Sequence, residues 1–485
     1  MRIIHVAAEM ATIAKVGGLG DVLHGLSHHL AEEGHEITVI LPKYKTIPNK
    51  GLKALAVTKT FERGFLYENT IWEGRSGKVR LLFVEPHHPS GYFDRGQIYG
   101  YEDDLLRFLY FSKTCADYLS QRSNEFDLIH IHEWHTSLIA PLARDYYPSL
   151  KEKKILLTIH NIAYQGKCLP IDLDHLGVPA ASFLSYDKLQ DPSSPHMLNL
   201  LKGGIGYANL ITTVSPTYAQ EILHRAEGLE PTLAYHQKKL VGILNGIDTS
   251  IWNPEEDPSL FATYASNDPL KKILKAKEKN KKALRKELRL KESGMPLVAC
   301  IGRLVVQKGP ELIREALLHT LKQGGQFVLL ASSPTPELQE EFSALKEELK
   351  TNPNVSFCFE FNEKLAHLLY GASDMLIIPS QFEPCGLTQM IALRYGTIPI
   401  VRKTGGLADT VFDLQESKTP EKDRNGFVFE EFSKDKVQAT LDRALQLWLT
   451  GTERWHHLVG RIMRQDFSWK RSADKYLELY RKLVS

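Results

Sequence analysis

Two doubly wound α/β domains are what this sequence predicts. Apolar runs of strand length alternate with amphipathic stretches of helix length, the signature of parallel sheets covered by helices. The alternation is interrupted after Asn245-Gly246-Ile247-Asp248 and restarts beyond a Lys/Arg-rich segment. One glycine motif occurs once in each half: Gly17-Gly18-Leu19-Gly20-Asp21 and Gly405-Gly406-Leu407-Ala408-Asp409.

A chain of 485 residues exceeds what a single core usually serves, so at least two domains are expected. Hydrophobic residues at 43% and charged residues at 24% are the composition of a globular chain. A net charge of +2 is too small to point to a polyanion, so no nucleic-acid partner is expected. The opening run Ile3–Ala8 stops at Glu9, too short for a secretory signal, and no stretch approaches the roughly 18 apolar residues that span a bilayer. The five cysteines are scattered without a CxxC pair, against a disulfide framework or a structural zinc site. No membrane partner and a cytoplasmic location are therefore expected.

In the first half, Ile3–Ala7 reads as a buried strand and Asp21–Glu33 as a helix with Val22, Leu26 and Leu30 on one face and Gly34 as its stop. Strands follow at 36–41, 79–84, 128–132, 155–160, 210–214 and 240–244. Lys271–Lys291 reads as a solvated linker helix rather than a glucan or nucleic-acid patch. In the second half, strands fall at 297–301, 327–331, 355–359, 375–379 and 398–401. Trp469, Ala473, Tyr476, Leu477, Tyr480 and Leu483 form an apolar helical stripe, expected to cross back onto the first domain. The resulting division is 1–248 with the terminal helix 467–485, and 249–466.

Chemistry concentrates where these strands end. Glycines between a strand and a helix let a ligand approach the backbone, and the helix start favours an anion. Ligands of open α/β sheets bind beyond the carboxyl ends of the strands, so a cleft there is the expected site. Lys15 stands two residues before the first glycine pair, where an ammonium could meet a diphosphate. Arg303 and Lys308 follow a buried strand, and two cations there could neutralise a departing diphosphate. Glu383 sits in Ser380-Gln381-Phe382-Glu383-Pro384-Cys385-Gly386-Leu387-Thr388, a turn leading into a helix to about Tyr395. Its carboxylate can serve as a simple helix-dipole partner or meet sugar hydroxyls and a cationic sugar carbon. His130-Ile131-His132-Glu133-Trp134-His135 ends one strand and His160-Asn161 ends its neighbour. This cluster suits a sugar platform better than a metal, although His130 and His132 share a strand face. Asp172-Leu173-Asp174 reads as a chance match to a metal motif in a proline-flanked loop.

Taken in order, Lys15–Asp21, Thr212–Ala219, Ile243–Asp248, Arg303…Lys308 and Glu383–Thr388 resemble the family of bacterial glycogen synthases and plant starch synthases, from residue 1 to about 480. The resemblance implies a GT-B glycosyltransferase, two Rossmann-like domains facing across a cleft. It implies glucose transfer from ADP-glucose, with UDP-glucose as the alternative donor, to the non-reducing end of an α-1,4-glucan (glycogen or a malto-oligosaccharide), with retained anomeric configuration and neither cofactor nor metal. Carried over by matching position, Lys15, Arg303 and Lys308 bind the diphosphate and assist its departure. Glu383 binds donor glucose and stabilises positive charge at the reacting carbon, and His160 contacts the donor sugar. Gly17, Gly18, Asp21, Asn245, Cys385, Gly386, Leu387 and Thr388 belong to the nucleotide-sugar side, with Phe361 stacking on the base. Glu9, Glu133, Trp134, His135, Asn161 and Tyr164 belong to the glucose and acceptor side.

Three departures from the family pattern stand out. Ala331-Ser332-Ser333 replaces a glycine-rich loop, Phe361 replaces a tyrosine, and Glu133 replaces an aspartate with a longer reach. Ile391 occupies the second acidic position of a wider Glu…Glu pattern, as in many bacterial members. Breaking the glycosyl–phosphate bond leaves an oxocarbenium-like carbon and a diphosphate, so preorganised cations are the largest expected catalytic term. Competing readings are a transferase with a small acceptor, a silent glucan-binding protein, and a sugar-nucleotide epimerase. Retention of Lys15, Arg303, Lys308 and Glu383 speaks against the silent protein, and the polar and aromatic cluster 133–135 against the epimerase.

Overall fold

The computed structural model describes residues 1–360 and 362–485. The chain divides into two compact units, Met1–Gly246 with Trp469–Ser485, and Ile247–Ser468. Ile247 and Ser468 pair with each other where the chain passes from one unit to the other.

The first unit is built on β1 (Arg2–Val6), β2 (Glu36–Pro42), β3 (Lys53–Glu62), β4 (Phe65–Ser76), β5 (Val79–Pro86), β6 (Leu128–His132), β7 (Lys154–Ile159), β8 (Lys167–Cys168), β9 (Leu198–Asn199), β10 (Leu210–Thr213) and β11 (Leu240–Gly242). Nine of these form one sheet in the order β11-β10-β7-β6-β1-β2-β5-β4-β3, while β8 and β9 pair separately. From β11 to β5 the sheet is parallel, and its interior strands are almost continuously apolar because helices cover both faces. The β3–β4 hairpin is antiparallel and was not predicted. Its turn, Arg63-Gly64, has both residues at positive φ, and its outer positions Val57, Phe65 and Leu66 are exposed.

The first helix spans Gly18–Glu32, beginning three residues before the predicted start, so the glycine motif lies on its first turn instead of ahead of it. Its face meets the terminal helix Trp469–Val484 at Gly25, where a Cβ would come within 1.8 Å of the Trp469 ring. Only a glycine lets the indole settle there. Asp172 and Asp174 lie on the short helix Pro170–His175, not in a loop; Asp172 accepts from the Leu169 N–H at 2.9 Å and Asp174 from Ala180 at 2.9 Å. Both carboxylates thus terminate local backbone, consistent with a chance motif.

The second unit is a six-stranded, wholly parallel sheet of β12 (Leu297–Arg303), β13 (Gln326–Ser332), β14 (Val355–Cys358), β15 (Met375–Ile378), β16 (Ile398–Arg402) and β17 (Phe427–Phe429), in the order β14-β13-β12-β15-β16-β17. The Lys/Arg-rich segment is a helix, Leu270–Glu287, but it is not a solvated linker. Ile273, Ala276, Lys277, Asn280, Lys281, Leu284 and Arg285 are buried along one face. Lys277 Nζ donates to the carbonyls of Gly371 and Tyr395 and to Thr397 Oγ1 at 3.0–3.2 Å, and Lys281 pairs with Asp374 at 2.7 Å. Long cationic side chains cover apolar surface with their stems while their heads satisfy buried acceptors, and charge counting cannot detect that.

In each unit the sheet reverses its winding beside a central strand. The reversal falls between β1 and β6 in the first unit and between β12 and β15 in the second. The carboxyl ends of those strands are where an open α/β sheet offers a ligand site.

Candidate functional site

The first cluster is assembled beyond β1, β6 and β7. Glu9 is buried; one carboxylate oxygen accepts the N–H groups of Val16 (2.6 Å) and Gly17 (2.8 Å), and the other accepts from the Tyr99 hydroxyl at 2.8 Å. It therefore shapes the glycine loop, and nothing in the sequence around Tyr99 signalled that partner. A Cβ on Gly17 would meet nothing within 4 Å, so the surface of the loop is open there, and exposed Gly18 starts the helix. Lys15 and Asp21 form an ion pair of 2.6 Å at the loop.

Glu133 follows β6 at φ 65°, a conformation uncommon for a residue with a side chain. That turn aims its carboxylate at the start of the segment after β7, where it accepts the backbone N–H groups of His160 and, at 2.8 Å, Asn161. Burial pushes its pKa up to about 8 against those two hydrogen bonds. The longer side chain thus ties two strand ends together. Trp134 stacks on His135 at 4.1 Å and meets Phe108 edge-on. Gly166, at φ +64°, makes room for the indole, since a Cβ would fall 2.3 Å from it. Buried His135 is held neutral, its pKa pushed down to about 3 by loss of hydration. Tyr164 is exposed, and Asn161 Oδ1 accepts from the Ala163 N–H at 3.1 Å. Asn245 is buried with its Oδ1 lacking a partner among the described residues.

His130 and His132 do not form a sugar platform, because both are fully buried under the terminal helix. With His5 they bring ligand atoms within 4.8 Å, but His130 already bonds Tyr480 and Thr158, and His5 bonds His132. The rings as arranged hold one another.

The second cluster surrounds the ends of β12 and β15. Arg303 ends β12, is exposed, and its guanidinium has no ion-pair or hydrogen-bond partner among the described residues. Lys308 closes the next turn and reaches Glu383 Oε2 at 2.5 Å; the Ser380 hydroxyl donates to the same oxygen at 2.9 Å. Gly309 makes that turn possible at φ +68°, with a Cβ that would lie 2.5 Å from the Pro379 carbonyl. Arg303, Lys308, Ser380 and Thr388 line a small open cavity of about 20 Å³.

The second glycine pair does not mirror the first. Gly406 donates to the Glu383 carbonyl at 3.0 Å, and a Cβ on it would lie 1.9 Å from the Cys385 carbonyl. These glycines therefore bring the backbone against the turn 383–385, fixing that turn rather than exposing a surface. Gly386 continues it at φ +69°, Leu387 occupies the N-cap position, and the helix runs Thr388–Arg394. Phe361 lies outside the described residues.

A larger hollow of about 190 Å³ opens at the opposite, amino ends of β1 and β2. Its Arg2 and Arg80 are already paired with Asp127 and Glu73, which leaves the strand-end clusters as the candidate site.

Two parallel α/β units with a polar cluster at each switch point, cationic in the second, define the class: a GT-B glycosyltransferase. Residues 2–235 match the model "Starch synthase catalytic domain" and residues 280–457 match "Glycosyl transferases group 1". A glycogen synthase of Protochlamydia amoebophila is 45% identical over 499 residues, covering 100% of this chain and 99% of the relative. The probable starch synthase 4 of Arabidopsis thaliana is 47% identical over 493 residues, covering 100% of this chain and 47% of that longer protein. Among solved structures, the catalytic domain of Arabidopsis thaliana starch synthase IV bound to ADP and acarbose superposes with a TM-score of 0.94 at 47% identity, covering 100% of this chain and 99% of that one. A sucrose-phosphate synthase of Thermosynechococcus elongatus, TM-score 0.62 at 17% identity over 99% of this chain and 98% of its own, shares the fold. The chain belongs to the glycogen synthase and starch synthase family, glycosyltransferases that act on glucans.

Proposed function

We propose that this protein transfers glucose from ADP-glucose to the non-reducing end of an α-1,4-glucan, retaining the anomeric configuration and using no metal. The observation that carries the reading is the Lys308–Glu383 pair, 2.5 Å apart, with Lys308 lining one cavity beside Arg303, whose guanidinium has no partner among the described residues. Departure of a diphosphate develops negative charge on its oxygens and positive charge on the sugar carbon. Arg303 and Lys308 meet the first; Glu383, held by Ser380, meets the second. His160 contacts the donor sugar, and the backbone from Cys385 to Thr388, fixed by Gly406, holds phosphate or sugar hydroxyls. Asp21 keeps Lys15 at the loop, and Glu9 holds the N–H groups that shape it. Trp134, His135, Asn161 and Tyr164 serve the acceptor. ADP in the related starch synthase supports the donor, and acarbose supports a glucan acceptor. A cytoplasmic setting, where thiols stay reduced, fits the five free cysteines, and no helix among the described residues is long and apolar enough to cross a membrane.

The test is incorporation of labelled glucose into glycogen, without added metal, from ADP-glucose and UDP-glucose in parallel. A preference for ADP-glucose of tenfold or more is expected. Equal or better use of UDP-glucose would overturn the donor assignment and direct attention to Phe361 and Ala331-Ser332-Ser333. Transfer from neither donor would overturn the reading as a whole.

A further inference from the structure

We propose that His132 and His5 are positioning residues which fix the tautomer of His160, so that His160 presents Nδ1–H as a permanent hydrogen-bond donor. The proposal rests on the reading of His160 as a donor-sugar contact.

Three imidazoles stand in a hydrogen-bonded row at the carboxyl ends of β1, β6 and β7. His160 Nε2 lies 3.1 Å from His132 Nδ1, and His132 Nε2 lies 3.2 Å from His5 Nδ1. The row has two ends. His5 Nε2 is buried and has no partner among the described residues. His160 Nδ1 has no partner among the described residues either, but His160 is only half-buried, so this end of the row is not sealed in the core.

Each ring of the row carries one proton. Loss of hydration holds His5 and His160 at about 3 and His132 well below its ordinary value, and the neighbouring rings disfavour a second proton on His132 further. A row of neutral imidazoles joined end to end admits two proton orders. In one, every ring donates inward; His5 Nε2–H is then a buried donor with no acceptor, and His160 Nδ1 is a bare lone pair. In the other, His5 Nδ1–H donates to His132, His132 Nδ1–H donates to His160 Nε2, and His160 keeps its proton on Nδ1. The second order leaves only an unused lone pair at His5. Buried N–H groups without an acceptor are rarer than acceptors without a donor, so the outward order is favoured. The bond made by one ring nitrogen decides which nitrogen of the next is protonated.

His130 does not compete for a place in the row. Its Nδ1 bonds the Tyr480 hydroxyl at 2.7 Å and its Nε2 bonds Thr158 Oγ1 at 2.6 Å, while its ring stacks on His132 at 4.1 Å. It clamps the middle of the row from the side. The chemical consequence is specific: a neutral donor suits a sugar oxygen, and it adds no second positive charge beside a carbon becoming cationic.

The test uses full-length protein labelled with [15N]histidine, with the His160 ring signals assigned by their loss in His160→Gln. Wild type is expected to carry the His160 proton on Nδ1. His132→Leu removes the donor to Nε2 and is expected to give a mixed or Nε2-protonated ring. It should also lower kcat about tenfold while the KM for the sugar nucleotide moves less than twofold. His132→Asn, whose amide can still donate near the Nδ1 position, is expected to restore both readouts. A wild-type His160 protonated on Nε2 would overturn the proposal. So would a folded His132→Leu with unchanged tautomer and kcat. Should His132→Leu fail to fold, His132→Phe keeps a ring stacked on His130 while still removing the donor, with the same shift expected and an unchanged tautomer again overturning the row. Wild-type transfer by His160→Gln would instead sink the donor-contact reading, a result separable from the tautomer measurement.

Discussion

Arg303 and Lys308 are five residues apart in sequence and differ in what holds them. Lys308 is bound to a buried carboxylate, whereas the exposed Arg303 guanidinium has no partner among the described residues. Replacing them separates chemistry from stability. Arg303→Ala is expected to lower kcat by about 10²–10³-fold, the scale of a lost transition-state charge contact, with an unchanged melting temperature. Lys308→Ala is expected to lose as much turnover and also several degrees, because Glu383 keeps only the Ser380 hydroxyl to offset its buried charge. Steady-state kinetics beside thermal unfolding checks both, and near-wild-type turnover in either variant would refute the assigned role. The position of these residues was legible in the sequence because cations and a carboxylate after apolar runs can only lie at strand ends. What Glu9 and Glu133 do there was not legible. Their carboxylates bond backbone N–H groups of residues 16–17 and 160–161, and a backbone donor carries no side-chain signature. Glu133 in addition owes its aim to a positive φ that residue type does not announce.

Strands of the parallel sheets were legible because burial on both faces leaves them nearly all apolar. The β3–β4 hairpin was not, since Lys53–Glu62 and Phe65–Ser76 alternate and expose one face at the sheet edge. The helix Leu270–Glu287 misled in the other direction, its lysines reading as solvent-facing when four polar or cationic positions are buried. Lys277 gives this element a measurable property. Burial pushes its pKa down to about 7. Between about 7 and 10.5 the unfolded side chain keeps its proton while the folded one releases it, so its contribution to stability rises with pH across that window and is lost as pH falls through it. Lys277→Met abolishes the proton difference. Urea unfolding of both proteins at two pH values within the window should show wild type gaining up to about 1.4 kcal/mol per pH unit more than the variant. Coincident slopes would mean that Lys277 stays charged in the fold.

At the scale of the molecule, the chain leaves its first unit after Gly246 and returns to it at Trp469, so the last 17 residues complete a unit begun at the other terminus. The terminal stripe was legible as an apolar helical face, and the folded unit shows why it is so aromatic. Trp469 fills the place left by Gly25, Ser472 donates to the Leu244 carbonyl, and Tyr480 bonds His130 beneath it. Trp469, Ala473, Tyr476, Leu477 and Tyr480 are all buried. At about 1.5–3 kcal/mol for each large side chain, their loss is on the order of 6–12 kcal/mol, which matches the whole stability of a typical domain. Truncation after Ser468 is therefore expected to unfold the first unit while leaving the second, whose residues end there, with its own sheet intact. Circular dichroism and hydrogen exchange read by mass spectrometry separate the two. Protection should vanish from β1, β6 and β7 and persist in β12, β13 and β15. Protection retained in β1 would show that the terminal helix only decorates a unit already stable without it. Glucan transfer is expected to disappear with the first unit, which carries the proposed contacts Lys15 and His160, and point variants at Trp469 or Gly25 should fall between the two extremes in proportion to the surface they uncover.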